Sequence, residues 1–518
     1  MKLVTADQMR AIEQSSVEAG VSLDELMENA GLAVAESVRD RWDTHNELFG
    51  KRIVVLVGPG NNGSDGLVAG RHLSKWGAKV TAALCAKRKT TDPKRELAES
   101  SGVEVVDATS DPRLDRLSKL LSTSDLVIDA VLGTGTSRPI DKSSTLASIL
   151  FVVVESAVPV VAIDLPTGLN SDSGEFDIAG LPADETLMLG YTKLGAAIAP
   201  DSASLGDISV LDIRVPLGLD SQITAELITE ELALDLLPLR PPDGHKGTFG
   251  STLIIAGSKQ YLGAVTMAIE AAVRSGNGLT FVATPDSAFR SIVGAVPEAM
   301  YTSLPTDSDG ELLASTAAST ALDLANRTTA VVAGPGIGSS PAIAEFLKTF
   351  LSQVDEANPL VLDADALNIL SGTHEWWTRI PNPAVLTPHP GELSRLLSTS
   401  SEQIQSNRMD AVMEAARKFD KVVILKGAAT LIAAPDGRVN VSPWTNPGLA
   451  QGGSGDVLAG LLGGLLAQSP DELFEMASLA VFIHGYAAGQ ARDEYGETGM
   501  RPTDVIQNLG HFYRDFAQ

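Results

Sequence analysis

The stretch NPGLAQGGSGDVLAG, residues 446–460, gathers five glycines around one carboxylate, Asp456, and runs directly into the apolar segment VLAGLLGGLLA. Successive glycines let backbone N–H groups approach an anion, and a helix starting at such a loop adds its positive end. An aspartate at that start could accept a proton from a bound hydroxyl while phosphate sits on the neighbouring amides. The plainer alternative is a glycine-rich turn with Asp456 as a helix N-cap. A GxGD pattern alone does not separate the two.

Other side chains in the second half add to the chemistry. Lys426 closes the apolar run KVVIL just before Gly427, where a cation could reach phosphate oxygens. His389 stands between two prolines in TPHPGE, a rigid turn that fixes its imidazole. Alone, each has an ordinary structural explanation. Together with the amides of 452–455 they make an anion cradle, a positive charge and a candidate base, the parts phosphoryl transfer needs.

The first half places its polar residues after apolar runs. Asn61, Asn62, Gly63, Ser64 and Asp65 follow KRIVVLVG, and Gly133, Thr134 and Gly135 follow DLVIDAVL. Asp164 and Thr167 close VPVVAIDLP. Asp129 lies inside an apolar run, where an unpaired charge costs several kcal/mol, so it needs a cation or a network of donors. Asn62, Asp129 and Thr167 all offer oxygen, which suits a hard cation better than zinc. GPGNNGSDG fits neither GxGxxG nor GxxxxGK[ST], so the usual dinucleotide and P-loop fingerprints are both missing.

Strands must hold these groups. Lys51–Gly58, KVTAALC, 125–133 and 158–166 read as buried parallel strands, and amphipathic segments between some of them read as helices. Thr5 with Gln8 and Ser22 with Glu25 have capping-box spacing, predicting two opening helices, the second reaching about residue 42. STLIIAGS, GLTFVATP, TAVVAGPGIG, NPLVLDADALN, PAVLTPHPGE and KVVILKG repeat the strand pattern in the second half. Such alternation predicts parallel sheets covered on both faces, with ligands at the carboxyl ends of the strands. A Pro/Gly-rich connector before Lys246 and a change of character near 220–224 divide the chain into domains at 1–220 and 224–518.

Composition sets limits. A length of 518 residues exceeds one ordinary core, and a net charge of −26 argues against a nucleic-acid partner. A single cysteine, Cys85, excludes an internal disulfide and a cysteine-rich zinc site. The longest apolar run, Val457–Ala467, falls short of the ~20 residues that span a bilayer, and the N-terminus lacks a signal-like core. The expectation is a cytoplasmic protein with no membrane partner.

GNNGSDG, DAVLGTG and DLPTG resemble the YjeF N-terminal family, the NAD(P)H-hydrate epimerases, over about residues 1–220. HKGTFG, AGPGIG, DADALN, TPHPGE, LKGAAT and NPGLAQGGSGDVLAG, in that order, resemble the YjeF C-terminal family, the NAD(P)H-hydrate dehydratases, over about 224–518. The resemblance implies a Rossmann-like three-layer αβα domain followed by a ribokinase-like α/β domain. It implies epimerisation of the R and S hydrates of NADH and NADPH, then dehydration of the S form with ADP and magnesium, releasing AMP and phosphate. Carried onto this chain, Asn61–Asp65 and Gly133, Thr134, Gly135, Thr136, Ser137, Arg138 and Pro139 would hold the epimerase substrate. Asn62, Asp129 and Thr167 would bind potassium, and Asp164 would contact substrate and transfer its proton. Ala264, Gly336 and His389 would hold the S hydrate. Lys426, Gly427, Ala428, Ala429, Thr430 and Gly455 would hold the adenine nucleotide, and Asp456 would be the base. A homo-oligomer is implied as well. Two departures stand out: Ser64 replaces the second glycine of NNGGD, and Thr167 replaces the serine of DxPSG. The rivals are a ribokinase-like kinase of a small molecule, and a nucleotide-binding scaffold with a non-catalytic first domain.

Overall fold

The computed structural model describes residues 1–41, 48–89, 91–135, 138–199 and 202–516, in two compact units, Met1–Ala225 and Glu226–Gln518. In the first unit seven parallel strands form one sheet. From edge to edge they are Glu104–Asp107, Lys79–Leu84, Arg52–Val57, Leu126–Ala130, Val160–Ile163, Glu185–Leu189 and Asp207–Leu211. Side chains of a strand alternate between faces, and both faces here are dry. Ile53, Val55 and Val57 pack with Val34 and Val38 of helix Leu23–Asp40 and Leu73 of helix Asn61–Lys75. Val54 and Leu56 pack with Leu117, Leu150 and Val153 on the other side. The unit is therefore a three-layer αβα sandwich. Cys85 lies in that second layer, 3% exposed.

Both opening helices form. Thr5 makes a full capping box with Gln8, and the Ser22 hydroxyl accepts from Glu25 N at the start of Leu23–Asp40. Residue 42, the expected end of the second, falls outside the described residues. The short pair Leu3–Val4 and Thr192–Lys193 forms a separate two-stranded parallel ribbon.

The second unit carries a ten-stranded sheet. Its parallel part runs Ala299–Leu304, Leu279–Pro285, Ser251–Ile255, Ala330–Ala333, Leu360–Leu362, Ala384–Leu386 and Val422–Leu425. Leu431–Ala433 and Val439–Val441 then extend it antiparallel, and Ala225–Leu227 closes the edge, so the sheet is mixed rather than all parallel. Leu431–Ala433 and Val439–Val441 are three residues each, too short to show a period in the sequence. Helix Ser454–Leu466 is buried along most of its length. Gly460 lets it lie against helix Leu262–Arg274, because a Cβ there would come within 2.1 Å of Ala268 O. No helix among the described residues is long and apolar enough to cross a membrane.

Candidate active sites

In each sheet the strand order reverses at one place, and a crevice opens there beyond the carboxyl ends of the strands. In the first unit this point lies between Arg52–Val57 and Leu126–Ala130, the strands that feed Asn61–Asp65 and Val131–Gly135. The two segments touch closely: a Cβ on Gly58 would sit 1.8 Å from Val131 O, so only glycine fits. The crevice holds about 580 Å3 and is lined by Asn61, Asn62, Asp65, Gly133, Thr134, Gly135 and Asp164, among others.

Asn61 to Asp65 are the first turn of a helix capped by Gly60, not a free loop. That geometry sorts them. Gly63 packs against Gly58 O, and the Ser64 hydroxyl accepts from Arg88 Nη2 at 2.9 Å, so both face away from the crevice. The Ser64 departure thus has a partner of its own. Arg138 and Pro139 line an adjoining pocket of about 380 Å3 that shares Gly133. Thr136 and Ser137 lie outside the described residues.

Asp129 is fully buried and accepts three hydrogen bonds: from Thr167 N at 2.7 Å, Thr167 Oγ1 at 2.7 Å and Val131 N at 3.1 Å. Of the two partners expected for it, the structure supplies the donor network. Burial still pushes its proton affinity up, to a pKa of about 6, against the lowering by those bonds. Thr167 Oγ1 accepts from Leu132 N, and Asn62 Nδ2 donates to Leu132 O, so Thr167, which also binds Asp129, and Asn62 meet around one residue. Asn62 Oδ1 is buried without a hydrogen-bond partner. An orphan carbonyl in the same network as a carboxylate and a hydroxyl fits a hard cation.

Asp164 is held in a left-handed backbone conformation, φ 68°, at the end of its strand. Its carboxylate pairs with Lys193 and accepts from Leu189 N at 3.2 Å. Lys193 is 1% exposed and also donates to Leu189 O at 2.7 Å. Three further acids line the crevice, Glu13, Asp24 and Asp65. Burial, then the charges of Asp164 and Glu13, raise Asp65 well above the usual carboxylate range. Burial, then Asp164, raise Glu13 too. Lys193 and Glu13 were not singled out in the sequence. A lysine in YTKLG carries no motif, and the ribbon with Leu3–Val4 that positions it pairs residues far apart in the chain.

In the second unit the reversal lies between Ser251–Ile255 and Ala330–Ala333. It brings Ala264 beside Gly336, where a Cβ would fall 2.9 Å from the Ala264 Cβ. Gly336 has φ 56°, which suits glycine. The next three strands deliver Asp363, His389 and Lys426 from their ends. Lys426 Nζ is 2.9 Å from Asp363 Oδ1 and 3.9 Å from Glu392 Oε2. Asp363, 1% exposed, also accepts from Thr387 Oγ1 at 2.6 Å. Burial opposes the Lys426 charge, but Asp363 and Glu392 outweigh it and raise its pKa.

Gly455 approaches Lys426: a Cβ there would be 3.2 Å from Nζ. The helix start differs from the expected cap. Gly453, φ 110°, is the N-cap and Asp456 is the third residue of the helix, so Asp456 is not the N-cap. Among the described residues its carboxylate makes no capping bond. Burial, then Asp363, push its pKa up to about 7, with Lys426 pulling the other way. His389 caps helix Pro390–Leu397 through Nδ1, which accepts from Gly391 N at 3.0 Å. With that nitrogen an acceptor, the neutral ring carries its proton on Nε2. Burial, then Lys426, lower its pKa, which favours the neutral form. Asp363, Asp365 and Glu392 stood inside DADALN and TPHPGE, yet no role for them followed from the sequence.

Known proteins bear on both units. A family model described as NAD(P)H-hydrate dehydratase matches residues 252–510, and one described as YjeF-related protein N-terminus matches 23–195. The bifunctional NAD(P)H-hydrate repair enzyme of Moorella thermoacetica is 34% identical over 100% of this chain and 98% of its own. That of Coxiella burnetii is 35% identical over 97% of each. Among solved structures, the ADP/ATP-dependent NAD(P)H-hydrate dehydratase from Bacillus subtilis, co-crystallised with ATP and Mg2+, is 30% identical over 56% of this chain and 98% of its own, with a TM-score of 0.48. By its two matched halves and its full-length relatives, the chain belongs to the family of bifunctional NAD(P)H-hydrate repair enzymes.

Proposed function

We propose that the first unit interconverts the R and S hydrates of NADH and NADPH, and that the second dehydrates the S form at the expense of ADP. The observation that carries this is Asp456: a carboxylate with a pKa of about 7, in the first turn of a helix, beside glycine amides and Lys426. The hydroxyl on carbon 6 of the hydrated ring is a poor leaving group. Asp456 takes its proton as the oxygen attacks the terminal phosphorus of ADP, and the bond to the bridging oxygen breaks to release AMP. The ring nitrogen then expels phosphate, and loss of a proton from carbon 5 restores the double bond. The amides of 453–455 and Lys426 meet the developing charge. Asp365, close enough to Asp456 to raise its pKa, would help to hold magnesium, which would supply further charge neutralisation. His389, neutral, donates from Nε2 to the substrate.

In the first unit, epimerisation breaks and remakes the carbon–oxygen bond at carbon 6. Asp65, whose protonated form burial and its acidic neighbours favour, gives its proton to the leaving hydroxyl. Asp164, steadied by Lys193, takes a proton from the water that adds to the opposite face. Asn62, Asp129 and Thr167 would hold potassium, which would lock the Leu132 peptide in place and offset substrate charge. The fused first unit and the full-length relatives named as NAD(P)H-hydrate repair enzymes favour this over a kinase that stops at the phosphate ester.

Incubation with mixed R and S NADPH hydrates, ADP, magnesium and potassium tests both halves through recovery of reduced-nicotinamide absorbance. Full recovery is expected. No recovery with ADP or ATP overturns the dehydratase, and recovery that stalls when the S form is spent overturns the epimerase.

A further inference from the structure

The cations of the second site are largely spoken for. Lys426 sits between Asp363 and Glu392, with Asp456 near, so this cluster holds more acid than base. ADP is itself an anion, and the chain carries a net charge of −26. Arg408 lies directly beneath the turn 425–430. Its Nη2 donates to Ala429 O at 2.8 Å and to Leu425 O at 3.2 Å, and its Nη1 to Gln405 Oε1 at 2.9 Å. Gly427 is shaped around it: a Cβ there would fall 2.6 Å from Nη2.

This placement is unfavourable for a cation on three counts. The guanidinium is partly buried, and burial lowers its pKa to about 10. It belongs to the first residue of helix Arg408–Phe419, at the positive end of the helix dipole. Among the described residues no carboxylate pairs with it; its recorded partners are carbonyl and amide oxygens. Arginine is the side chain whose forked donors suit phosphate, and an anion at this turn would relieve the imbalance.

We propose that Arg408 is a nucleotide-positioning residue, holding the 425–429 turn by its carbonyls and supplying positive charge for the phosphates of the adenine nucleotide. This rests on the proposal that the turn 426–430 takes that nucleotide. A purely structural peg would hold the turn for any occupant. A charge donor would discriminate by phosphate.

The test compares the full-length chain with Arg408→Met and Arg408→Lys. Binding of ADP, AMP and adenosine is measured by calorimetry, with the thermal unfolding of the second unit, which contains Arg408, as a folding control in each variant. Arg408→Met should weaken ADP and AMP on the order of tenfold, as loss of one charge-assisted contact does, and adenosine little. The KM for ADP should rise with kcat changed far less, and Arg408→Lys should recover part of the loss. Equal weakening of adenosine and ADP, or ADP binding as tight as in the unmodified chain, overturns the assignment. Failure of the unmodified chain to bind any adenine nucleotide overturns instead the proposal on which it rests.

Discussion

Asp456 is asked to be two things, a base and a buried acid, and its pKa of about 7 reconciles them. Dehydration measured as kcat/KM should rise as pH increases through about 7 and then level off, because only the ionised carboxylate accepts a proton. Asp456→Asn should lower turnover by about 10²-fold or more while ADP still binds. It should also stabilise the fold. The folded-state pKa is raised, so the stabilising contribution of this carboxyl is present below its unfolded value and lost as pH rises through about 7. At pH 8 the ionised group therefore opposes folding, on the order of 4 kcal/mol, and the amide removes that penalty. Urea unfolding at pH 8 and pH 5 should show the larger gain at pH 8; a gain independent of pH would exclude a buried charge as its cause. In the other unit, Lys193→Met should impair use of the R hydrate and leave dehydration of the S form unchanged, measured on separated epimers. Equal loss in both assays would mean a general defect in folding.

At the scale of elements, each site is built where neighbouring strands send their connections to opposite sides of the sheet. Gly58 shows how tight that junction is. Gly58→Ala would put a methyl 1.8 Å from Val131 O and should destabilise the first unit by several kcal/mol, seen as an early thermal transition. The strands that carry chemistry were readable because parallel, doubly buried strands are short apolar runs with polar residues at their ends. The run 125–133 contains Leu126–Ala130 and 421–427 contains Val422–Leu425. Edge and antiparallel strands escaped. Asp207–Leu211 is mostly exposed and alternates without contrast, and Val439–Val441 is too short to show a period. What could not be read at all was pairing at a distance. Lys193 reaches Asp164 because strand Glu185–Leu189 pairs beside Val160–Ile163, and Arg408 reaches Gly427 from a helix eighteen residues before Lys426. Helix registration likewise decided whether Asp456 was cap or third residue, a difference of three positions no pattern specifies.

For the molecule as a whole, the net charge of −26 repels every substrate proposed for it. Raising ionic strength from about 10 mM toward 0.15 M shortens the Debye length from ~30 Å to ~8 Å and should speed ADP association, followed by stopped flow. A rate that falls with salt would mean that local cations dominate the approach. The two units also differ in something unrelated to catalysis. Cys85, the one thiol in the chain, is buried in the first unit, and burial together with Asp129 raises its pKa. A thiol reagent therefore finds nothing to modify in the native state, and nothing in the second unit at any time. Labelling in native buffer becomes a clock for opening of the first unit alone. Its rate, taken with and without potassium, would report how far that ion holds the sandwich shut, with no engineered probe and no substrate.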